Sequence, residues 1–540
     1  MNSKKIEPRF IAGPPGTGKT HEYIVDLYQK ELLPKYHPDK IIILSHTNVA
    51  ANEIRAAILK IPEMKERGFT DKSMKYKIST IHSYCKKRHL KKEIFEYEDH
   101  KNLILQNRLF AKDPTTNVEK HPFYKFRSDA AGKGLSIDQY WRICNQKNYR
   151  PYSISMIKEL LPIYKKYKEE PGSERCDFTD MIANFLKDEV RFPDIDAIII
   201  DECQDSNVPQ RKAIEKMAAN VKEEHYYLVG DADQTLFEYS GSDADYFHKL
   251  ASNPWKELKE GKRCSEAINT ICKKIIKPIW DHYGSHRIWT PAKYTEKHGM
   301  QRIGEVIKGN VYHLPNFSGS GNLDILLEKI KNTTQTFLFT FRGTPGDKRC
   351  IQFFNYHGLE YSHVSNTNHI SKKEIQAHQL WPNFLKGEPM SLQQIKNFWK
   401  YAGSVVISRG KGEYAFEDWI KKDYLVDELI SKGLLKTSCK DYKDFDLVRV
   451  PSNTTKENLL YIKKIISKGF DYDKKVQITY GNIHQVKGLT FDNVIVDHTL
   501  TRRENFYTQL RLSYTAHSRG IFDCWRLQST TKRSLGRDRY

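Results

Sequence analysis

The octapeptide GPPGTGKT at residues 13–20 constrains the fold of this 540-residue chain more than any other feature. It fits the pattern G-x-x-x-x-G-K-[ST], in which glycines let backbone N–H groups turn inward on phosphates and the lysine reaches the β and γ phosphates. An apolar run precedes it at residues 9–12, and apolar side chains recur at helical spacing over residues 23–28. The sequence therefore predicts a strand–loop–helix unit that binds a nucleotide. The predicted binding residues are Gly13, Pro14, Pro15, Gly16, Thr17, Gly18, Lys19 and Thr20.

A second half of such a site, carboxylates at the end of a neighbouring strand, occurs in AIIIDECQDSN at residues 197–207. After the apolar run, Asp201 can hold Mg²⁺ together with the Thr20 hydroxyl, and Glu202 can polarise the attacking water. A pair of acids after a strand is by itself more often a solvated strand end. Its combination with the phosphate loop favours a catalytic pair of Asp201 and Glu202, with Lys19 and Thr20 as the partners in the loop.

Short, fully apolar runs separated by helix-like patterns predict an α/β fold with buried strands of parallel sheets. The predicted strands are residues 9–12, 41–44, 197–200, 226–229, 336–341, 476–480 and 493–496. Two charged stretches without comparable strands, residues 86–175 and about 366–475, are interpreted as mostly helical insertions. The sequence thus predicts two α/β domains.

The chain is strongly basic, with 88 Lys and Arg against 67 Asp and Glu, a formal charge of +21 and a pI near 9.3. Such a balance favours a polyanionic partner, although general solubility remains an alternative on charge alone. Nine cysteines without CxxC spacing indicate free thiols in a reducing compartment. With no apolar run of about 18 residues and no signal-like amino terminus, we expect a cytoplasmic protein of the nucleoid or host-cell interior that is not secreted and has no membrane partner.

Further motifs resemble, in the same order, those of superfamily 1 helicases, and the interleaved aromatics after the DQ of the third motif are similar to the UvrD/Rep branch. DECQD at residues 201–205 resembles the DExQD box of that family. The other similar stretches are ILSHTNVAANEI (43–54, motif Ia), STIHSYC (79–85, Ib), CDFTDMI (176–182), LVGDADQTLFEYSGSD (228–243, III), LKEGKRCS (258–265, IV), IHQVKGLTF (483–491, V) and RLSYTAHSRG (511–520, VI).

The resemblance implies roles for residues outside the phosphate loop. Gln204 would sense the γ-phosphate, Gln234 would couple nucleotide to strand, and Gly488 would lie at the nucleotide. Arg263 and Arg519 would meet the γ-phosphate across a cleft between domains, which makes hydrolysis conditional on closure. The positions implied to touch single-stranded DNA are His46, Thr47, Asn48, Thr80, His82, Phe237, Tyr239 and His484. For Phe237 and Tyr239 a purely structural place in the core stays open.

The resemblance also implies a fold of two RecA-like parallel-sheet domains, each with a mostly helical insertion. The first domain (1A) would comprise residues 1–85 and 176–255, with 86–175 as insertion 1B. The second (2A) would comprise 256–365 and 476–528, with 366–475 as a reduced 2B-like insertion and 529–540 as a basic tail.

The expected function is that of an ATP- and Mg²⁺-dependent translocase on single-stranded DNA and a DNA helicase of 3′ to 5′ polarity, acting on tailed duplexes with replication or repair proteins as partners. The alternative is a nucleotide-controlled nucleic-acid-binding switch, or a protein-displacing translocase that does not unwind. Ser240 in motif III and Thr490 in motif V depart from the family pattern, which keeps this alternative open. The twelve residues before Gly13 lack the glutamine element that reads adenine in the family, so we expect other nucleoside triphosphates to be hydrolysed as well. RNA stays open as a substrate. A ring ATPase of the AAA type fits GPPGTGKT alone but not the DECQD box.

Overall fold

The computed structural model describes most of the chain, in two compact units. The first unit comprises Met1–Gly309 with Glu504–Ser518, and the second comprises Asn310–Arg503 with Arg519–Arg539. The described residues are 6–87, 93–110, 121–171, 174–188, 195–219, 221, 223–296, 302–314, 317, 321–365, 370–402, 405–408, 422–443, 445, 456–497 and 505–527. The predicted tail 529–540 lies outside them.

The first unit is built on a six-stranded sheet whose neighbouring strands all pair in parallel, in the order β3-β2-β6-β7-β1-β8. Strands buried on both faces read as continuous apolar runs, and the four inner strands do so. The sheet strands are β1 Arg9–Ala12, β2 Ile41–Ser45, β3 Ile78–Thr80, β6 Ala197–Ile200, β7 Tyr226–Gly230 and β8 Lys256–Glu257, and a separate pair comprises β4 Glu93–Ile94 and β5 Arg175–Cys176.

Helices cover both faces of this sheet, and a separate apolar cluster fills the space on each side. The helix after the phosphate loop runs from Lys19 to Leu32 and is largely π-helical on either side of its short α-helical centre. The α-helices are α1 Val25–Leu27, α2 Asn48–Ile58, α3 Pro62–Glu66, α4 Asp71–Met74, α5 Ile81–Lys87, α6 Tyr97–Gln106, α7 Pro122–Gly132, α8 Ile137–Ile143, α9 Ile154–Lys168, α10 Phe178–Lys187, α11 Val208–Ala218, α12 Ala244–Ser252, α13 Glu266–Tyr283 and, late in the chain, α20 Phe506–His517.

The described part of the predicted insertion 86–175 is mostly helical and has its own core. Helices α6 to α9 enclose a cluster rich in Phe and Tyr side chains, including Phe123, Phe126 and Tyr164. The short strand β4 pairs in parallel with β5 and joins the base of the insertion to the start of α10. The aromatic content that marked this segment in the sequence thus forms a buried cluster.

The second unit contains another six-stranded, all-parallel sheet, in the order β11-β14-β10-β15-β16-β9. Its strands are β9 Val311–Leu314, β10 Phe337–Phe341, β11 Tyr361–His363, β14 Ile478–Asn482, β15 Phe491–Asp497 and β16 Gly520–Leu527, and β12 Met390–Ser391 pairs antiparallel with β13 Asp423–Tyr424. The helices are α14 Gly321–Asn332, α15 Thr344–His357, α16 Lys372–Leu385, α17 Leu392–Trp399, α18 Val426–Ser431 and α19 Lys456–Ser467.

The predicted insertion 366–475 is divided between two cores. Helices α16 to α18 surround Trp381, Phe398 and other apolar residues in a cluster of their own. Helix α19 instead packs Tyr461 and Ile462 against the core of the second sheet. This last helix is therefore part of the α/β layer.

The predicted fold class, two parallel-sheet α/β domains, is confirmed. All seven predicted strands form, although β14 begins two residues later than predicted, at Ile478. The domain division stays a prediction, and the compact units differ from it in one respect: residues 256–309 and 504–518 belong to the first unit. The reason is long-range packing within that unit, where Trp289 contacts Tyr514 edge-on at 6.0 Å and α13 packs on α20.

Candidate nucleotide and nucleic-acid site

The predicted site residues of the first unit follow the carboxyl ends of adjacent strands. The phosphate loop follows β1, Asp201 follows β6, and the segment from Asp231 follows β7. Thr47 and His82 lie just after β2 and β3, at the other side of β6 in the strand order. Because parallel strands end at the same edge of a sheet, one edge carries both the nucleotide residues and most of the predicted DNA contacts.

The phosphate loop is held in a tight turn by its own backbone and by β7. Gly16 and Gly18 have φ of +69° and +78°, the left-handed region that favours glycine. Gly13 N–H donates to the Gly230 carbonyl at 3.1 Å, and Thr17 Oγ1 donates to the Pro14 carbonyl at 2.8 Å. The loop therefore has the conformation in which backbone N–H groups can surround phosphates.

Lys19 is buried at the base of this loop. Its Nζ donates to the Gly13 carbonyl at 2.7 Å and to the Pro14 carbonyl at 3.2 Å. Burial lowers the pKa of Lys19, while Asp231, Glu202 and, less strongly, Asp201 act in the opposite direction. Three acidic side chains thus oppose the effect of burial on this ammonium beside the loop.

Thr20 and Asp201 form the predicted metal pair. Thr20 Oγ1 lies 3.2 Å from Asp201 Oδ2, and Asp201 is fully buried. Burial, and then the neighbouring Glu202, raise the pKa of Asp201 to about 7, although Lys19 opposes this shift. A nearby cation would stabilise the charged form of this carboxyl group. A hydroxyl and a carboxylate are also the kind of oxygen ligands that Mg²⁺ takes beside phosphates. Among the described residues, no group of three or more His, Cys, Asp or Glu side chains could hold a metal on its own.

Glu202 is the only non-glycine residue with positive φ in the described part of the chain, at +51°. Such a conformation costs about 1–3 kcal/mol and is retained where the surroundings hold it. The Gln204 side chain contributes, since its Nε2 donates to Glu202 Oε2 at 2.6 Å and its Oε1 accepts from Asp231 N–H at 3.1 Å. Gly230 leaves room for this amide, because a Cβ there would lie 2.3 Å from Gln204 Oε1.

Gln234 lies under the loop in a buried polar group. Its Nε2 donates to Asp231 Oδ2 at 2.8 Å, and Tyr514 Oη donates to the same oxygen at 3.4 Å. Burial and the neighbouring Asp233 raise the pKa of Asp231. Helix α20, which carries Tyr514, thus reaches the segment that holds Gln234.

Sequence reasoning missed the residues that support these aspartates. Arg287 is buried, with Nη1 3.7 Å from Asp231 Oδ1 and Nε 3.9 Å from Asp233 Oδ2. Trp280 Nε1 donates to Asp233 Oδ2 at 2.7 Å. No local pattern identifies either residue, because both lie about fifty residues beyond the aspartates in the sequence.

Arg263 lies beside the phosphate loop, within the first unit. A Cβ on Gly16 would lie 2.4 Å from the Arg263 Cβ, and Lys262 N–H donates to the Gly16 carbonyl at 2.7 Å. Arg263 Nη1 also donates to the Ser518 carbonyl at 3.3 Å. Burial lowers the pKa of Arg263, and Glu202 acts against that shift. The Arg263 side chain is therefore close to the phosphate loop and hydrogen-bonded to the residue that follows α20.

Arg519, Gly488 and His484 belong to the second unit. Arg519 is buried, and its Nη1 donates to the Leu489 carbonyl at 3.4 Å. Gly488 has φ of +88° with open space around its Cα. His484 Nδ1 lies 3.4 Å from Arg342 Nη1, just past the carboxyl ends of β14 and β10. The roles of these three residues stay predictions.

The motif Ia residues lie at the start of α2. His46 Nε2 is 3.0 Å from Ser206 Oγ, which joins this strand end to the segment after Asp201. Thr47 caps α2, its Oγ1 accepting from Ala50 N–H at 3.2 Å. Asn48 is exposed. The exposed Thr47 and Asn48 are accessible to a polymer, while His46 has a structural partner as well.

Thr80 and His82 are more enclosed. Thr80 Oγ1 accepts from Ser83 N–H at 3.2 Å and is 3.0 Å from Ser83 Oγ, so it caps the start of α5. The His82 ring meets the exposed Phe178 ring edge-on at 5.4 Å. Burial lowers the pKa of His82 to about 4, so the ring is neutral at pH 7.

Phe237 and Tyr239 flank the turn after Gln234, with ring centroids 6.0 Å apart. Tyr239 is 52% exposed, which rules out a core position for it, and Phe237 is half-buried. The insertion packs directly on this turn, because a Cβ on Gly132 would lie 2.2 Å from the Ser240 carbonyl oxygen. Lys125 Nζ lies 5.8 Å from the Tyr239 ring. Tyr239 therefore offers an exposed aromatic face beside a lysine.

Known proteins that are similar to this chain are DNA helicases by name. Residues 3–254 match the UvrD/REP helicase N-terminal domain. Similar proteins include the "Probable DNA helicase II homolog" of Mycoplasma capricolum, 26% identical over 298 residues, or 50% of this chain and 38% of that protein. The "ATP-dependent DNA helicase Rep" of Buchnera aphidicola subsp. Acyrthosiphon pisum is 27% identical over 323 residues, or 53% of this chain and 45% of that protein.

A third relative is the "ATP-dependent DNA helicase HMI1, mitochondrial" of Saccharomyces cerevisiae, 24% identical over 302 residues, or 51% of this chain and 39% of that protein. The matched part of the chain spans less than half the length of each of these relatives. Within the described residues, no helix is both long and apolar enough to cross a membrane.

Proposed function

We propose that this chain, a UvrD/Rep-like superfamily 1 helicase relative through its residues 3–254, is an ATP-driven translocase on single-stranded DNA that unwinds duplexes with 3′ to 5′ polarity. One observation carries the proposal: the nucleotide residues of the first unit and most of the predicted DNA contacts lie at one edge of one sheet. A change at the nucleotide can then reach the strand over a short path of buried side chains.

The first step is binding of a nucleoside triphosphate with Mg²⁺. The phosphate loop supplies backbone N–H groups and Lys19, and Thr20 and Asp201 would hold the cation. The cation supplies neutralisation of the phosphate charge. A bound cation would favour the ionised form of Asp201, whose pKa is raised by burial and by Glu202.

Hydrolysis follows when water is aligned with the γ-phosphate. Glu202 is the group for this task, because its strained backbone and the hydrogen bond from Gln204 fix its carboxylate beside the loop. Arg263 stands next to Gly16 and would stabilise charge that develops on the transferred phosphoryl group. Arg519 would add a second cation, and Gly488 would line the nucleotide.

Coupling to the strand would run through Gln234. Its amide donates a hydrogen bond to Asp231, and three residues further along Phe237 begins the turn that exposes Tyr239. Exposed aromatics beside cations stack bases without sequence preference. Thr47, Asn48, His82 and, from the second unit, His484 would complete the track, with His46 and Thr80 shaping it from behind.

A second candidate is a nucleotide-controlled switch that grips or displaces partners without unwinding. Ser240 and the exposed Thr490 favour it, since both stand where the family pattern has a charged side chain. The switch would share every step up to ATP hydrolysis with the helicase and would differ only in that no duplex is unwound.

The deciding experiment is steady-state ATP hydrolysis with and without single-stranded DNA. We expect many-fold stimulation by the strand and loss of turnover in Lys19→Ala and Glu202→Gln, whereas Lys30→Ala and Glu31→Gln, exposed positions on the same helix, retain it. Equal rates with and without DNA would refute both candidates.

Strand displacement then separates the candidates. Duplexes with a 3′ or a 5′ single-stranded tail, in DNA and in RNA, are incubated with ATP. Product from the 3′-tailed DNA only supports the helicase with the proposed polarity. Stimulated hydrolysis with no displaced strand on any substrate supports the switch.

A further inference from the structure

We propose that Lys331, Lys464 and Lys468, together with the exposed ring of Tyr356, form a second contact surface for single-stranded DNA on the second unit, at the sheet edge opposite His484. This "lysine surface" extends the proposed function, because it concerns the same polymer. It lies outside every motif that identified the chain.

The topology brings these residues together. Helix α14 ends just before β10, α15 just before β11, and α19 shortly before β14, so all three helices finish at the edge where the strands begin. Lys331 lies in the last turn of α14, Tyr356 in that of α15, and Lys464 in that of α19. His484 follows β14 and therefore lies at the other edge.

The lysines are held in place by the end of α15. Lys464 Nζ donates to the Tyr356 carbonyl, and Lys468 Nζ donates to the carbonyls of His357 and Gly358, the latter at 3.0 Å. Gly358 has φ of +57°, and a Cβ there would lie 2.8 Å from Lys464 Cγ, so the lysine stems pack closely over the helix end. Ordered ammonium groups lose less side-chain entropy when they bind a phosphate.

Capping of α15 explains these hydrogen bonds but not the whole cluster. An ammonium has three donors, so Lys464 keeps two for another acceptor. Lys331 is exposed and donates to none of these carbonyls. Within the part of the chain that the structure describes, no carboxylate forms an ion pair with any of the three lysines.

The charges act on one another. Burial, followed by the charges of Lys464, Lys468 and Lys331, lowers the pKa of His357, and burial with Lys464 and Lys331 lowers that of Lys468. Three like charges near the ends of neighbouring helices repel one another, and binding of a polyanion reduces this repulsion. A protein of net charge +21 can use such a surface to hold nucleic acid.

The aromatic part favours a single strand over a duplex. Tyr356 is 75% exposed, the highest value among the large apolar and aromatic side chains of the described residues, and Leu460, one turn before Lys464 on α19, is 68% exposed. Lys464 Nζ lies 5.5 Å from the Tyr356 ring centroid. An exposed ring next to phosphate-binding cations is the arrangement on which unpaired bases stack, and duplex bases have no free face to offer.

The test is the salt dependence of binding, measured by fluorescence anisotropy without nucleotide. The variant is Lys331→Gln/Lys464→Gln/Lys468→Gln, which keeps a hydrogen-bond donor at each position. The matched control is Lys60→Gln/Lys65→Gln/Lys72→Gln, three exposed lysines of the first unit. With a long oligothymidylate, we expect the slope of log Kd against log salt to fall by about 2 in the variant, since each lost phosphate contact removes about 0.7.

The control should keep the wild-type slope, and Tyr356→Ala should weaken binding of the long strand at least about fivefold with little change in slope. On a short oligonucleotide that fills only the motif-bearing edge, all variants should bind alike and give equal ATP turnover. Equal slopes for variant and wild type on the long strand overturn the proposal, as does a larger loss on blunt duplex than on single strand. Failure of the proposed function would instead appear as ATP hydrolysis by the wild type that single-stranded DNA does not stimulate, an outcome separate from the salt slopes.

Discussion

Glu238 accepts a hydrogen bond from Arg511 Nη1 at 3.0 Å, although the two residues are 273 positions apart. The same carboxylate oxygen accepts from Thr508 Oγ1 at 2.7 Å. Arg511 is almost fully buried in α20, and Glu238 lies in the turn that presents Tyr239. The pair therefore ties the exposed aromatic turn to the helix whose end reaches Arg263.

Removing both partners of this pair should cost less than the sum of the two single losses. Glu238→Ala leaves a buried guanidinium without its carboxylate, so we expect the free energy of unfolding to fall by about 2 kcal/mol. Arg511→Ala should cost a similar amount, and the double variant less than the sum. Chemical denaturation measures all three, with the exposed pair Arg302 and Glu305 as the control cycle. Additive losses would contradict the coupling.

Gly230→Ala should reduce hydrolysis through Gln204. The new Cβ would meet Gln204 Oε1 at 2.3 Å and Cys203 Sγ at 2.9 Å, so the amide must leave Glu202 and the Asp231 N–H. We expect kcat to fall about tenfold or more, as for loss of a preorganised hydrogen bond at a reacting site. In a Gln204→Ala background, the same change should cost distinctly less. An equal loss of kcat in both backgrounds would show that Gln204 is not the residue displaced.

Stability should fall in mild acid because of His82. Its pKa is lowered by burial to about 4, against an ordinary value of 6.5, so the folded protein binds fewer protons than the unfolded chain between these two values. The His82 contribution to the free energy of unfolding is therefore largest above pH 6.5, declines as the pH falls and is lost below about pH 4. Between about pH 7.5 and about pH 5 this free energy falls by about 2 kcal/mol.

The measurement compares wild type with His82→Gln by urea denaturation at both pH values. The variant should lose about 2 kcal/mol less than the wild type on acidification, because titrations elsewhere cancel in the difference. Identical losses would mean that the His82 ring is protonated as readily in the folded protein as in the unfolded chain.

Arg287→Met should destabilise the first unit strongly. The guanidinium lies between Asp231 and Asp233, at 3.7 and 3.9 Å, and both carboxylates are fully buried. Without it, two buried acids lose their cation, which typically costs 3–5 kcal/mol. Arg302→Met, at an exposed position, should cost less than about 1 kcal/mol. The midpoint temperatures of thermal unfolding of the two variants test this prediction. A small decrease for Arg287→Met would show that water already solvates these aspartates.

Much of the α/β layer could be predicted because its signals are local. The strand at Ala197–Ile200 is a continuous apolar run, the strand at Arg9–Ala12 is apolar after its first residue, and both form over the predicted residues. Strand β16, Gly520–Leu527, was missed, since Asp523 and Arg526 interrupt its apolar pattern. Asp523 is tolerated there because Lys329 and the Asn310 N–H bind it, and these partners lie about two hundred residues away.

The sequence by itself determined the loop GPPGTGKT, the acids after β6 and the order of the motifs, because each depends on neighbours in the chain. Only the tertiary structure decided which distant groups support them: Arg287 and Tyr514 at Asp231, Arg511 at Glu238, and Arg263 against Gly16. It also decided that residues 256–309 and 504–518 belong with the first unit. The physical reason is that a buried charge or a close backbone approach is satisfied by whatever folding brings near, and that proximity leaves no pattern in the local sequence.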